Sequence, residues 1–273
     1  MLGFLLYALN IFISCMIVLS VFPFSYLIPQ VKRFVIIMPL HWANMNRAIL
    51  RLTTRTQIEA QLPPGLSAQK SYIVTANHQS WADILVLFDV FAGHIPMLKF
   101  FMKQQLKWVP FVGLSCWIYG FPFLYRHTPA ELKKHPEWKQ RDILSTRKAC
   151  ERFKSNPGSL MIFAEGTRFT AAKHTKQQSP YKHLLKPKAG GMAIALQYMG
   201  NSIQSLLDVT IIYPKDAYTF MDFCRGKIKK ITVIVREIPL TEDLRGDYEN
   251  DRTFRQHFQN FLNTLWAEKD EYL

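Results

Sequence analysis

An α/β domain, with a mixed central sheet flanked by helices and a hydrophobic N-terminal membrane helix, is the fold class predicted by this 273-residue sequence. Three observations carry it. Short runs rich in β-branched and aromatic residues, the mark of strands, are spread along the chain between segments with helical spacing. Two of these runs lead directly into polar clusters, and in an α/β sheet ligands bind at the carboxyl ends of strands. Residues 1–31 contain no charged side chain, and a bilayer is crossed by about 20 apolar residues.

Leu2 to Phe22 is the usable part of that apolar stretch, because Pro23 and Pro29 interrupt the remainder. Lys32 and Arg33 close it, and Arg47, Arg51 and Arg55 precede the first acid, Glu59. This basic flank predicts that the rest of the chain lies on the cytoplasmic side, a bacterial inner membrane being the expected location. A cleaved signal peptide is disfavoured, since no Lys or Arg precedes the apolar run and no small-residue cleavage site ends it. Arg47, Arg51 and Arg55 recur every fourth residue and share one face of a helix expected around residues 41–56. Gln61 to Leu66, with Pro63-Pro64-Gly65, reads as a connector. Tyr72 to Ala76 reads as a strand. Lys99, Lys103 and Lys107, interleaved with Phe100, Phe101, Leu106 and Trp108, predict an interfacial amphipathic helix. Ser159 to Ala164 is a second strand and Ala171 to Pro180 a mobile polar loop. Asp208 to Tyr213 and Ile231 to Val235 are further strands. Phe254, Phe258, Phe261, Leu262 and Leu265 stand at helical spacing and predict a packing helix that carries no site. The expected divisions are a membrane-helix region over 1–31, a basic interfacial helix and connector over 32–69, a catalytic core over 70–240 and a packing helix over 241–273.

Formal charge is +14 and the pI about 9.7, a balance that suits nucleic acid, anionic lipid or a phosphate-bearing acyl carrier. A basic nucleic-acid-binding or regulatory protein at the membrane is the reading from another class. Against it, the aromatic residues lie in apolar runs and no RNA- or DNA-binding module is present, so no nucleic-acid partner is expected. Cys15, Cys116, Cys150 and Cys224 form no C-x-x-C pair and indicate neither a zinc site nor a disulfide framework.

The first polar cluster is Asn77-His78-Gln79-Ser80-Trp81-Ala82-Asp83. Ser80, with Asp83 three residues on, has the form of a capping box at a helix start. Residues five apart lie about 140° apart around a regular helix, so His78 meets Asp83 only from the turn before the helix. Held there, the carboxylate fixes the imidazole tautomer and leaves the other ring nitrogen to accept a hydroxyl proton. The second cluster is Glu165-Gly166-Thr167-Arg168. Gly166 permits close backbone approach, and the Arg168 fork suits a phosphate. Together the two clusters point to acyl transfer onto a hydroxyl. A Ser-His-Asp hydrolase is the enzymatic rival, but the sequence has no G-x-S-x-G, and Ser80 fits a cap better.

These blocks resemble the lysophospholipid and 1-acylglycerol-3-phosphate acyltransferase family. Asn77 to Asp83 matches its N-H-x-S-x-x-D block, and Glu165 to Arg168 matches F-P-E-G-T-R, with Ala164 in place of the proline. Gly120 to Arg126 resembles the block between them, although Tyr125 stands where an acid often precedes the arginine. The segment from Lys103 to Gly113 resembles the preceding lysine segment, with Gln105 where many members have Glu. Asp208 to Pro214 resembles the fourth block. The motif form, including Leu185 to Gly191, is nearest the lysocardiolipin acyltransferase-like branch and its bacterial relatives. The resemblance implies a single glycerolipid-acyltransferase-type domain. It implies His78 as general base and Asp83 as its orienting partner. Glu165, Gly166, Thr167, Arg168, Arg126 and Lys103 would bind substrate. Lys186 and Lys188, pinned beside Pro187 and Gly190-Gly191, are further candidates for a phosphate. The implied partners are a lysophospholipid acceptor, acyl-CoA or acyl-carrier protein as donor, and anionic membrane lipid. The acceptor expected is 1-acylglycerol 3-phosphate, with another lysophospholipid as the alternative. No metal and no cofactor are implied.

Overall fold

The structure, a computed structural model, describes residues 2–125, 134–135, 137–155, 158–214 and 218–273. A six-stranded sheet runs in the order β1 (Gln57–Gln61), β8 (Lys230–Pro239), β7 (Ser205–Ile212), β2 (Tyr72–Ala76), β6 (Ser159–Ile162) and β3 (Leu98–Phe100). Only the β7–β8 pair is antiparallel among these neighbours; the others are parallel. The sheet is therefore mixed. Two short strands, β4 (Met102–Lys103) and β5 (Phe123–Leu124), pair separately. Strand β2 is buried along its whole length, as expected of a central parallel strand covered on both faces.

Alternation of side chains across β2 divides the core in two. Tyr72, Val74 and Ala76 face α3 (Ala82–Phe91) and its Val86, Leu87 and Val90. That layer also takes residues of α1 (Leu2–Val21), α2 (Pro29–Thr53) and α8 (Phe220–Cys224). Ile73, Leu160 and Ile162 face the other way, toward α5 (Trp138–Ser155), α7 (Gly190–Met199) and α9 (Arg252–Glu271). Among the described residues, the helical stretch Leu2–Tyr26 is the one long and apolar enough to cross a membrane. It packs along α2, with Asn10 Nδ2 donating to Asn46 Oδ1 at 2.8 Å. The far end of α2 is fastened to α3 by the ion pair of Arg47 with Asp89.

Several elements differ from the sequence reading. The helix expected around 41–56 begins at Pro29 and carries Pro39 within it. Strand β1 lies in the stretch read as helix and connector; it is an edge strand with mostly exposed side chains, so no apolar alternation announces it. No amphipathic helix forms over Lys99 to Trp108. Lys99 is buried in β3 with its ammonium 5.1 Å from the Phe153 ring, Lys103 ends β4, and a 3-10 turn spans Gln104–Trp108. The polar segment after Thr170 is a short helix, α6 (Ala171–Gln177), capped by the Thr170 hydroxyl. The C-terminal helix is present as expected, running from its Asp251 cap.

Candidate active site

Register places the two polar clusters side by side. Thr75 of β2 lies opposite Ile162 of β6, and three residues past each come His78 and Glu165. Asn77 closes the other flank by giving its side-chain amide to the carbonyl of Ile211 and taking that residue's N–H, at 2.9 and 2.8 Å.

From the turn before α3, the His78 ring reaches back to Asp83 at the start of the helix. Nδ1 lies 2.8 Å from Asp83 Oδ2. The same oxygen accepts the N–H groups of Gln79 and Ser80 at 2.7 and 2.9 Å. Tyr213, just past β7, donates its hydroxyl to Asp83 Oδ1 at 2.6 Å. Both oxygens of the buried carboxylate thus accept from donors, and this geometry places an N–H at Nδ1 of His78. Nε2 is then the acceptor nitrogen. One half of the capping box forms, from Ser80 N to Asp83; the Ser80 hydroxyl instead accepts from Ala82 N at 3.2 Å. The imidazole lies flat on Phe163, ring centroids 3.8 Å apart and planes 10° from parallel.

Glu165 is wholly buried. Its carboxylate takes the N–H of His78 at 3.0 Å and of Leu185 at 3.2 Å, and Phe169 N–H bonds the His78 carbonyl at 2.7 Å. These bonds clamp the histidine turn to the second cluster. Desolvation dominates and pushes the Glu165 pKa up to about 8. Burial, with Asp83 close by, also raises the Tyr213 phenol, which therefore stays a donor.

Gly166 sits at φ +70°, a conformation glycine adopts without strain. The Lys188 ammonium lies 3.5 Å from the point a Cβ would occupy there. Lys188 N–H bonds the Ala164 carbonyl at 2.8 Å, so this lysine joins the turn. Thr167 Oγ1 accepts from the Lys173 ammonium at 2.7 Å, and the Arg168 carbonyl accepts from it at 2.9 Å. The exposed Arg168 guanidinium lies over the Trp81 ring, 5.1 Å from its centroid, joining the two clusters a second time. Lys186 points to solvent, its N–H bonded to Gln177 Oε1. Lys103 is exposed across from Leu124 in the β4–β5 pair. Arg126 lies outside the described residues. Sequence reasoning missed Tyr213, Trp81 and Lys173 as partners in the site. Tyr213 falls within the fourth block, but its contact with Asp83 spans 130 residues.

A partly buried imidazole positioned by a carboxylate, with cations at the rim, suits proton abstraction beside an anionic group. The sequence profile of the Acyltransferase family matches residues 53–214, more than half of the chain. The chain belongs to the Acyltransferase family. It is 25% identical over 230 residues to an uncharacterized acyltransferase of Schizosaccharomyces pombe, covering 76% of this chain and 60% of that protein. It is 27% identical over 192 residues to the 1-acyl-sn-glycerol-3-phosphate acyltransferase epsilon of Mus musculus, covering 64% and 49%. With the delta enzyme of Bos taurus it shares 26% over 219 residues, covering 75% and 52%. The chain spans about half to three fifths of the length of these relatives. Its fold is similar to the crystal structure of the 1-acyl-sn-glycerophosphate acyltransferase PlsC from Thermotoga maritima, with a TM-score of 0.54, 17% identity and 96% of each chain covered. In this fold the two polar turns of the chain stand at adjoining strand ends, those of β2 and β6.

Proposed function

We propose that this acyltransferase-family chain transfers an acyl group from an acyl thioester to the free hydroxyl of a lysophospholipid, 1-acylglycerol 3-phosphate being the acceptor and phosphatidic acid the product. The observation that carries the proposal is the His78–Asp83 pair at 2.8 Å, with Nδ1 committed to the carboxylate. His78 Nε2 takes the acceptor hydroxyl proton as the oxygen attacks the thioester carbonyl. The carbon–sulfur bond then breaks, and the departing sulfur receives the proton from the imidazole. Arg168 and Lys188 hold the acceptor phosphate, with Lys103 and Arg126 as further candidates. Glu165 acts by holding the His78 turn.

The donor is acyl-CoA or acyl-carrier protein. Exposed Lys176, Lys182 and Lys186 offer a basic approach to either. Room for the chain is supported by a cavity of about 940 Å³ lined by Leu40, Phe88, Phe91, Ile95 and Leu98 among others. Ring contacts lead toward it from the base, through Phe163, Phe100 and Phe88. The apolar α1 supports residence at a membrane, and the basic residues after it support a cytoplasmic catalytic face, in bacteria at the inner membrane.

The test follows thiol release from oleoyl-CoA and from acyl-carrier protein in detergent–lipid mixtures, with and without 1-acylglycerol 3-phosphate. Acceptor-dependent release is expected, falling roughly 10²–10⁴-fold in His78→Ala. Release that is indifferent to the acceptor, or intact in the variant, would overturn the reading; a preference for another lysolipid in the same assay would reassign the acceptor.

A further inference from the structure

The chain between β4 and α4 (Val112–Ile118) is built to hold apolar side chains outward. Trp108 is 81% exposed, and Leu106, Val109, Phe111 and Leu114 are each exposed beside it. Five large apolar residues within nine positions make a patch that soluble surfaces rarely carry. The display does not come from looseness. Gly113 is pressed against the preceding turn, where a Cβ would lie 2.3 and 2.4 Å from the carbonyl oxygens of Lys107 and Leu106. Phe111 stands at φ +62° and ψ −54°, and Val112 N–H bonds the Pro110 carbonyl at 2.6 Å. This is a γ-turn centred on a bulky residue, a strained arrangement that surrounding contacts must impose.

One of those contacts is with the apolar N-terminal helix. The Phe111 ring meets Phe12 of α1 edge-on at 5.4 Å, and α4 packs along α1. Tyr119, after α4, donates its hydroxyl to the Val35 carbonyl of α2 at 3.2 Å. The patch is therefore continuous with the exposed apolar face of α1, which includes Leu9, Phe12 and Ile13. Its charge is one-sided as well. From residue 90 to 130 the sequence has no Asp or Glu, while Lys103 precedes the patch and Lys107 lies within it. Lys107 lies 5.8 Å from the Trp117 ring centre, an aromatic–lysine combination suited to the headgroup layer. The segment leaves the sheet at the carboxyl end of β3, beside β6, the end that carries His78 and Glu165.

We propose that residues 106–114 form a second membrane-docking element, a wedge seated in the headgroup layer of an anionic bilayer and braced on α1 through Phe111. It turns the site end of the sheet toward the membrane, so that a lysolipid reaches His78 without crossing water. The consequence for the reaction rests on the proposed acyl transfer; the docking itself does not.

Two measurements test it on the full chain. In vesicles of phosphatidylcholine and phosphatidylglycerol, the difference in fluorescence between wild type and Trp108→Phe isolates Trp108. Quenching of that signal by lipids brominated near the headgroup, with protection from aqueous iodide, is expected. A Trp108 signal quenched by iodide and untouched by bromolipid overturns the proposal. Leu106→Asp/Leu114→Asp, verified as folded by circular dichroism, is expected to lose at least about tenfold in rate on acceptor embedded in vesicles and to keep the wild-type rate on a short-chain, water-soluble acceptor. Equal rates on the embedded acceptor overturn the orienting role. If wild type acylates neither acceptor, the proposed reaction fails, and the quenching result alone decides the docking.

Discussion

Replacing Glu165 by Gln separates the two effects of this buried carboxyl. Its oxygens receive the N–H groups of His78 and Leu185, while burial drives its pKa from an ordinary 4.5 to about 8. The unfolded chain releases this proton near the lower value and the folded chain near the higher. Between them the folded state binds the additional proton, so the contribution of Glu165 to wild-type stability is fullest below about 4.5, declines as pH rises toward about 8, and is level beyond it. At about 1.4 kcal/mol for each tenfold change in proton affinity, the decline amounts to roughly 5 kcal/mol. Gln does not titrate in this window. Its amide NH₂ confronts one of the two backbone donors, leaving a buried N–H unsatisfied at a cost of about 1–3 kcal/mol. The Glu165→Gln protein is thus expected to be less stable than wild type near pH 5 and to gain on it by roughly 4 kcal/mol toward pH 9. Urea unfolding of both proteins in detergent micelles, monitored by circular dichroism across that range, measures the difference, and titrations common to both cancel. Parallel stability curves would refute the view of Glu165 as a desolvated carboxyl.

Tyr213→Phe removes the hydroxyl that donates to Asp83 Oδ1 at 2.6 Å. A hydrogen bond to a charged group is worth about 1.5–3 kcal/mol, so a loss of stability of that size is expected with a fall in kcat and little change in KM; an unchanged kcat would show that the remaining donors position the pair unaided. Lys269→Met removes a fully buried ammonium that meets Asp208 Oδ1 at 2.7 Å and the Val209 carbonyl at 2.6 Å. Breaking a buried pair on one side costs about 3–5 kcal/mol, even though Arg236 still contacts Asp208; a urea midpoint shift within the roughly 0–1 kcal/mol of a surface pair would refute that role.

Lys269 also shows where periodicity misleads. Its helix was legible from Phe254, Phe258 and Leu262, and a lysine near the end of such a helix reads as solvated. In the fold it lies beneath β7, because the helix crosses the sheet where Asp208 supplies a buried countercharge. Lys99 is the same case, an expected headgroup contact that strand register turns inward.

The sequence by itself determined the apolar first helix, the central strands β2, β6 and β7, and the two turns that carry His78, Asp83 and Glu165 to Arg168. Each is written in local terms: a charge-free run, a β-branched run, or a polar cluster directly after one. It also brought His78 within reach of Asp83, since their contact closes inside one turn. Only the tertiary structure decided that Tyr213 completes the pair, that Glu165 clamps the His78 turn instead of facing solvent, that Arg168 stacks on Trp81, and that Trp108 is held out beside α1. Those contacts join residues brought together by the parallel register of β2 between β6 and β7 and by the docking of α1 on α4. Sheet register and helix docking are set by burial summed over many side chains, and no short stretch of sequence contains that sum.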